Sequence, residues 1–320
     1  MVAQYLVADV GGTNTRVALA SDGKLQIKSI RSYRNSDQSG VDTILQKYLQ
    51  QYQPSAKPSA VCVDLAGPVG NNQGELTNLD WVATTEELCS ASGAEFGAIL
   101  NDMQAQGLAL SHLPATAVSS ILKGNTNTGS RLVVNVGTGF NSALVLDDGK
   151  NPTVPISETG HVNLPTPSLA IFELHQYLTR QYGFASVEEV LSGRGLAHIY
   201  EFLSQQETKK LTTNSASIIK NLDTDPLACK AVNIFLEVFG CVCGNLALTH
   251  LPFGGIFLVG GMARALADHY QESSFQREFT AKGRFTDFMK QFSVHLVEDD
   301  NAALLGCVSY LENCKAARSK

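Results

Sequence analysis

Asp9-Val10-Gly11-Gly12-Thr13-Asn14 and Asn135-Val136-Gly137-Thr138-Gly139 decide the reading of this chain. The first follows a short apolar run, Tyr5-Leu6-Val7-Ala8, and leads into Thr15-Arg16-Val17-Ala18-Leu19, so it predicts two strands joined by a glycine turn. The second follows Leu132-Val133-Val134 and leads into Ser142-Ala143-Leu144-Val145-Leu146, which predicts the same unit again. An offset of 126 positions superposes Asp9 on Asn135, so the sequence reads as two related halves facing one another. Glycine leaves backbone N–H groups bare enough to cradle an anion. Two such hairpins suit the two sides of a polyphosphate, with Asp9 placed for its Mg²⁺, a hard cation that prefers oxygen ligands. No Gly-Lys-Ser/Thr follows either turn, so neither is a Walker loop. A plain hairpin whose turn needs positive φ is the competing reading of a lone Gly-Gly.

Working outward, 59–66 predicts a strand closed by Gly67-Pro68, and 97–100 predicts one that delivers Asn101-Asp102 at its end. Between them Val41, Ile44, Leu45, Tyr48 and Leu49 recur at helical spacing, predicting a helix over 41–52 that covers one sheet face. Farther on, helices are expected near 168–182 and 230–250, strands at 256–259 and 294–297, and a last helix over 302–314 with Asp300 or Asn301 as its cap.

A chain of 320 residues at roughly 150 per domain has room for two domains, and 44% hydrophobic content lets each bury a core. With 24 Lys+Arg against 30 Asp+Glu the net charge is -6, and no basic strip tracks a phosphate backbone, so nucleic acid is not expected as a partner. The N-terminus reaches Asp9 without the features of a secretion or transit signal. The apolar stretch 231–251 approaches membrane length, but Glu237, Asn233 and Asn245 interrupt it, which predicts a buried helix and no membrane partner. Seven cysteines form no regular framework, which fits a reducing cytoplasm. Cys241-Val242-Cys243 has no second ligand pair at zinc spacing, and Gly240 and Gly244 there predict a close helix-packing face.

Asn101-Asp102 stands where a strand of an α/β sheet presents catalytic groups, although the same pair is an ordinary helix cap. Glu158-Thr159-Gly160-His161 and Glu188 each read alone as solvated or structural side chains. Together they are a set of acceptors with one switchable donor, suited to sugar hydroxyls that both donate and accept. Gly260-Gly261 ends the 256–259 strand and leaves bare backbone for a flat ligand or for close helix packing.

Six stretches, Asp9-Val-Gly-Gly-Thr-Asn-Thr-Arg16, Leu76-Thr-Asn-Leu-Asp-Trp81, Leu100-Asn-Asp-Met103, Glu158-Thr-Gly-His161, Glu188-Glu-Val-Leu-Ser-Gly193 and Gly254-Gly-Ile-Phe-Leu-Val-Gly-Gly261, occur in order along nearly the whole chain. Together they resemble the bacterial glucokinases of the hexokinase-like, actin-fold ATPase superfamily. The resemblance implies a two-domain α/β, actin-like (ribonuclease H-like) fold with an interdomain cleft, the small domain being 1–110 plus 299–320 and the large one 111–298. It implies ATP-dependent phosphorylation of the glucose 6-hydroxyl, Asp102 serving as general base, and Asn101, Asp102, Glu158, His161 and Glu188 as sugar ligands. It assigns Gly11, Gly12, Thr13 and Asn14 to one phosphate loop, Gly137 and Thr138 to the other, Gly260 and Gly261 to the adenosine side, and Asp9 to Mg²⁺ through water. A cytoplasmic homodimer is implied as well. Where the family's second loop often reads Gly-Thr-Gly-Leu-Gly with a further glycine upstream, this chain has Asn141 and Asn135 at two of the glycine positions. Arg194 replaces a familiar proline, and the clustered Cys and His of the zinc-bearing branch are missing. A kinase for mannose or fructose and a non-catalytic sugar-binding regulator are the alternatives.

Overall fold

The computed structural model describes residues 4–54, 56–76, 79–125, 128–147, 152–207, 213–270 and 273–318. Thr77 and Asn78 of the second motif lie outside the described residues, as do the first three residues of the N-terminus. Met1–Pro114, Asn151–Ile156 and Asp299–Lys320 form one compact unit, and Ala115–Lys150 with Ser157–Glu298 form another.

In the first unit β1 (Gln4–Val10) and β2 (Asn14–Ser21) make the expected antiparallel hairpin. Two short strands, β3 (Lys24–Leu25) and β4 (Arg31–Arg34), both pair with β2. Helix α1 (Val41–Tyr52) buries Val41, Ile44, Leu45 and Tyr48, as its apolar spacing dictates. Strand β5 (Ala60–Leu65) is buried along its whole length because it lies parallel between β1 and another strand, which explains its continuous apolar run. A small antiparallel sheet follows, formed by β6 (Val69–Gly70), β7 (Gln73–Glu75) and β8 (Val82–Thr84). The Thr84/Glu87 capping box then starts α2 (Thr85–Ser92). Strand β9 (Phe96–Asn101) completes the order β3-β2-β1-β5-β9 and runs directly into α3 (Asp102–Ala109).

The second unit repeats that plan. Strands β10 (Val118–Leu122), β11 (Arg131–Val136) and β12 (Phe140–Val145) come first, and β11 and β12 form the second glycine hairpin. Helices α4 (Leu169–Tyr182), α5 (Gly193–Gln206), α6 (Ser215–Lys220) and α7 (Pro226–His250) follow. Strand β13 (Ile256–Val259) lies parallel to β11, as β5 does to β1. After α8 (Gly261–Ala265), α9 (Ser274–Thr280) and α10 (Thr286–Met289) comes β14 (Val294–Val297), parallel to β13 as β9 is to β5. The sheet order is β10-β14-β13-β11-β12. The repeat legible at the two glycine turns thus extends to four strands of each sheet.

Two helix ends differ from expectation. Helix α7 begins at Pro226, not Lys230, because Asp225 accepts the Leu227 N–H at 2.9 Å and proline suits the first turn. The C-terminal helix continues to Arg318 rather than ending at Cys314. Helix α7 is long and apolar enough to cross a membrane, yet 67% of its most apolar window is buried inside the unit. The close packing face expected there exists: a Cβ on Gly240 would stand 2.1 Å from the Phe275 carbonyl oxygen of α9.

Candidate active site

In the first unit the candidate residues gather at the carboxyl ends of β1 and β9. Asp9 faces Arg16 across the hairpin, with Oδ2 3.5 Å from Nη1, and Arg16 also donates to the Asp300 carbonyl at 2.6 Å. In the parallel neighbour Asp9 is in register with Asp64, which is fully buried. Burial, then the charges of Asp9, Cys307 and Asp102, push the Asp64 pKa well above the ordinary carboxylate range. Cys307 donates its S–H to Asp64 Oδ2 at 3.4 Å. As a carboxylate Asp64 would leave a buried oxygen, Oδ1, without a donor. Protonated, it donates to Asp9. Burial also raises the Asp9 pKa, but Arg16 and the Asp64 hydrogen bond oppose that rise, so Asp64 is the member of the pair pushed further up.

Asn101 and Asp102 are both a helix cap and a candidate site. Asn101 Oδ1 accepts the Met103 N–H at 3.0 Å, Gln104 Oε1 accepts the Asn101 N–H at 3.1 Å, and Asn101 Nδ2 donates to the Gly67 carbonyl at 2.9 Å. This box fixes the half-buried Asp102 at the first position of α3, where Oδ1 takes the Met103 N–H at 2.9 Å.

The Gly11–Asn14 turn closes with Gly11 N–H donating to the Asn14 carbonyl at 3.1 Å, and Thr13 and Asn14 are exposed. Its brace is Asn35, buried to 2% exposure. Asn35 Nδ2 donates to the Gly11 carbonyl at 2.8 Å, while Oδ1 accepts from the Thr15 hydroxyl at 2.8 Å. Positive φ is not the reason for this glycine pair: neither Gly11 nor Gly12 has it. A Cβ on Gly11 would meet only the Asn14 carbonyl, at 3.4 Å.

In the second unit Gly137, Thr138, Gly260 and Gly261 come together. Gly260 has φ +100, and a Cβ there would stand 2.3 Å from the Val136 carbonyl, so this glycine serves the close approach of strand and helix. Gly261 and Gly137 have room for a Cβ, with nothing nearer than 3.7 Å, and Thr138 is exposed. Glu188 lies against the same turn, its Oε2 accepting the Phe140 N–H at 2.9 Å. Glu158 is exposed, with Oε2 3.3 Å from Asn141 Nδ2, and His161 is exposed on the short turn that follows it. Gly160 is the fixed point of that segment: a Cβ would stand 2.1 Å from the Phe140 carbonyl. Arg194 pairs with Glu189 at 2.8 Å and with Glu188 at 3.6 Å.

Asn35 and Asp64 were missed by sequence reasoning. An acid inside the apolar run Val61-Cys62-Val63-Asp64-Leu65 was a legible signal for the second; nothing in the sequence near Asn35 marks the first.

A model of the glucokinase family matches residues 6–314. The chain belongs to the glucokinase family. Named glucokinases similar to it include that of Nitrobacter hamburgensis, 31% identical over 314 residues and covering 96% of each chain. That of Saccharophagus degradans is 30% identical over 315 residues, covering 96% of this chain and 98% of the relative. The crystal structure of a glucokinase from an Antarctic psychrotroph matches with a TM-score of 0.84 at 28% identity, over 97% of this chain and 99% of the other. The fold is accordingly that of the actin-like sugar kinases, and the reaction is that of a glucokinase, ATP-dependent phosphorylation of glucose.

Proposed function

We infer that this glucokinase transfers the terminal phosphoryl group of ATP to the glucose 6-hydroxyl with Asp102 as general base. Asn101, Asp102, Glu158, His161 and Glu188 hold the sugar. Gly11, Gly12, Thr13 and Asn14 take one side of the nucleotide's phosphates, Gly137 and Thr138 the other, and Gly260 and Gly261 lie on the adenosine side. The observation that carries this reading is the room at Gly11 and Gly137. Neither glycine is demanded by backbone conformation or by packing, and the N–H of each is spent inside its own turn, so the missing side chains call for another reason, and close approach of an anion to the turn supplies one.

Phosphoryl transfer asks for positioning and charge stabilisation more than covalent work. A sugar alcohol is too weak an acid to ionise beforehand, so Asp102 takes its proton late, as the new O–P bond forms and the terminal bridging bond of ATP breaks. The proton ends on the Asp102 carboxylate and the electron pair leaves with ADP. A rigid cap is the right mount for such a base, because Asp102 cannot drift while Asn101 and Gln104 close the box around it.

Mg²⁺ fits the donor set. Among the described residues no group of three or more His, Cys, Asp or Glu could hold a metal alone. A single carboxylate shared with substrate phosphates and waters is the usual habit of this ion. Asp9, whose charged form Arg16 favours, is the residue that would hold it, through water; the ion would neutralise charge on the phosphates. A cytoplasmic homodimer completes the proposal, in keeping with cysteines that are all unbridged.

The test is incubation of the purified chain with Mg²⁺-ATP and glucose, with mannose and fructose in parallel. Glucose 6-phosphate forming fastest supports the reading. Preference for another hexose, or sugar binding without ADP release, defeats it.

A further inference from the structure

We propose that Asn141 is a positioning residue for sugar binding, tying the Ser157–Thr159 loop and the Glu158 carboxylate to the hairpin that carries the second glycine turn. The proposal rests on the reading of Glu158 as a sugar ligand.

Asn141 lies on β12, two residues after Gly139, and faces Asn135 across the hairpin. Its side-chain amide spends its capacity on the loop opposite. Nδ2 donates to the Ser157 carbonyl at 2.8 Å and to Glu158 Oε2 at 3.3 Å, and Oδ1 accepts the Thr159 N–H at 3.1 Å. The Ser142 N–H, donating to Oδ1 at 2.8 Å, fixes the amide the right way round, since the opposite orientation would set N–H groups against both backbone donors. Ser142 reinforces the tie: its hydroxyl accepts from Thr159 Oγ1 at 2.9 Å and its carbonyl from the Ser157 hydroxyl.

The effect on Glu158 follows from its exposure. A carboxylate on a solvated loop samples many rotamers, and each hydroxyl it must meet costs the ordering of that side chain. A donor at 3.3 Å leaves one oxygen held and the other, Oε1, for the ligand. The two backbone bonds meanwhile hold the turn that also carries His161, whose N–H donates to the Glu158 carbonyl at 3.2 Å. Asn141 touches no reacting atom in this scheme, so its loss acts on sugar affinity and not on the transfer step.

The experiment uses the full chain and measures glucose binding by calorimetry together with steady-state kinetics. Asn141→Ala is expected to weaken glucose binding and raise its KM by about tenfold, with kcat and the KM for ATP within about twofold. Asn141→Asp, which keeps the shape but sets a carboxylate against Glu158, is expected to be weaker still, and it carries the test if the alanine variant does not fold. On a Glu158→Ala background, Asn141→Ala should cost less than it does in the wild type, the remainder being its hold on the turn of His161. Wild-type glucose affinity in the Asn141 variants, with Glu158→Ala impaired, overturns the tie alone. An undiminished Asn141→Ala penalty without Glu158 overturns it as well. Wild-type affinity in Glu158→Ala overturns the reading of Glu158 and the tie with it.

Discussion

The two glycine hairpins share a topology and differ in chemistry. In the first, four residues join the paired Val10 and Thr15, and the next pair back is Asp9 with Arg16, an acid and a base. In the second, three residues join Val136 and Phe140, and the next pair back is Asn135 with Asn141, two neutral amides. Across the parallel neighbour Asp9 meets the buried Asp64, whereas Asn135 meets Val259. The first turn is braced from outside by Asn35, the second by the Gly193 N–H donating to the Gly137 carbonyl at 2.9 Å and by Glu188 on the Phe140 N–H. One duplicated frame therefore carries a charged end, with Asp9 beside Arg16, and a neutral end whose Asn141 amide holds the loop of Glu158.

That contrast can be broken at several points. The largest effect is expected at the charged end. Asp102→Asn should lower turnover by about 10²- to 10⁴-fold while glucose binding stays measurable, in a coupled ADP-release assay set beside calorimetry. Turnover near wild type would remove the base from the first unit. Asp9→Asn removes the acid from the first hairpin and leaves the Arg16 charge without it, and should raise the Mg²⁺ concentration needed for half-maximal rate by about tenfold.

Gly11→Ala and Gly137→Ala test what the turns share. Each should raise the KM for ATP by about tenfold and leave the melting temperature near wild type, since a Cβ has room at both positions. Gly160→Ala is the contrasting control, expected to cost about 1–3 kcal/mol of stability because its Cβ has nowhere to go. The smallest effect belongs to Asp64. Its pKa is raised in the folded chain, so the stability it contributes is full below the ordinary carboxylate range and is lost as pH rises through the raised value. Asp64→Asn should remove that slope in melting temperature against pH; an unaltered slope would show that Asp64 does not hold the proton.

Most of the frame was legible because its determinants are local. The runs at 5–10, 60–65 and 132–136 are apolar but for one residue each, Asp9, Asp64 and Asn135, as strands of a sheet covered on both faces require, and the spacing in 41–52 is that of a helix. The repeat was visible at the turns because both halves carry glycine directly after an apolar strand. The braces were not legible. Asn35 reaches the first turn only because β4 pairs with β2, and Asn141 reaches Ser157–Thr159 only because that loop folds back onto its own hairpin. In the sequence Asn141 stands at a position where the resembled family's second loop often has glycine. The structure shows what stands in its place, a side chain with hydrogen bonds to three successive residues.

The claim beneath all of this is that both turns present their backbone N–H groups to the phosphates of one nucleotide. Amide chemical shifts recorded during a titration with Mg²⁺-ATP test it most directly. The account predicts that residues 11–14 and 137–139 shift together and saturate at one nucleotide concentration, with Gly160 little changed. Saturating ATP that leaves either turn unmoved would contradict it.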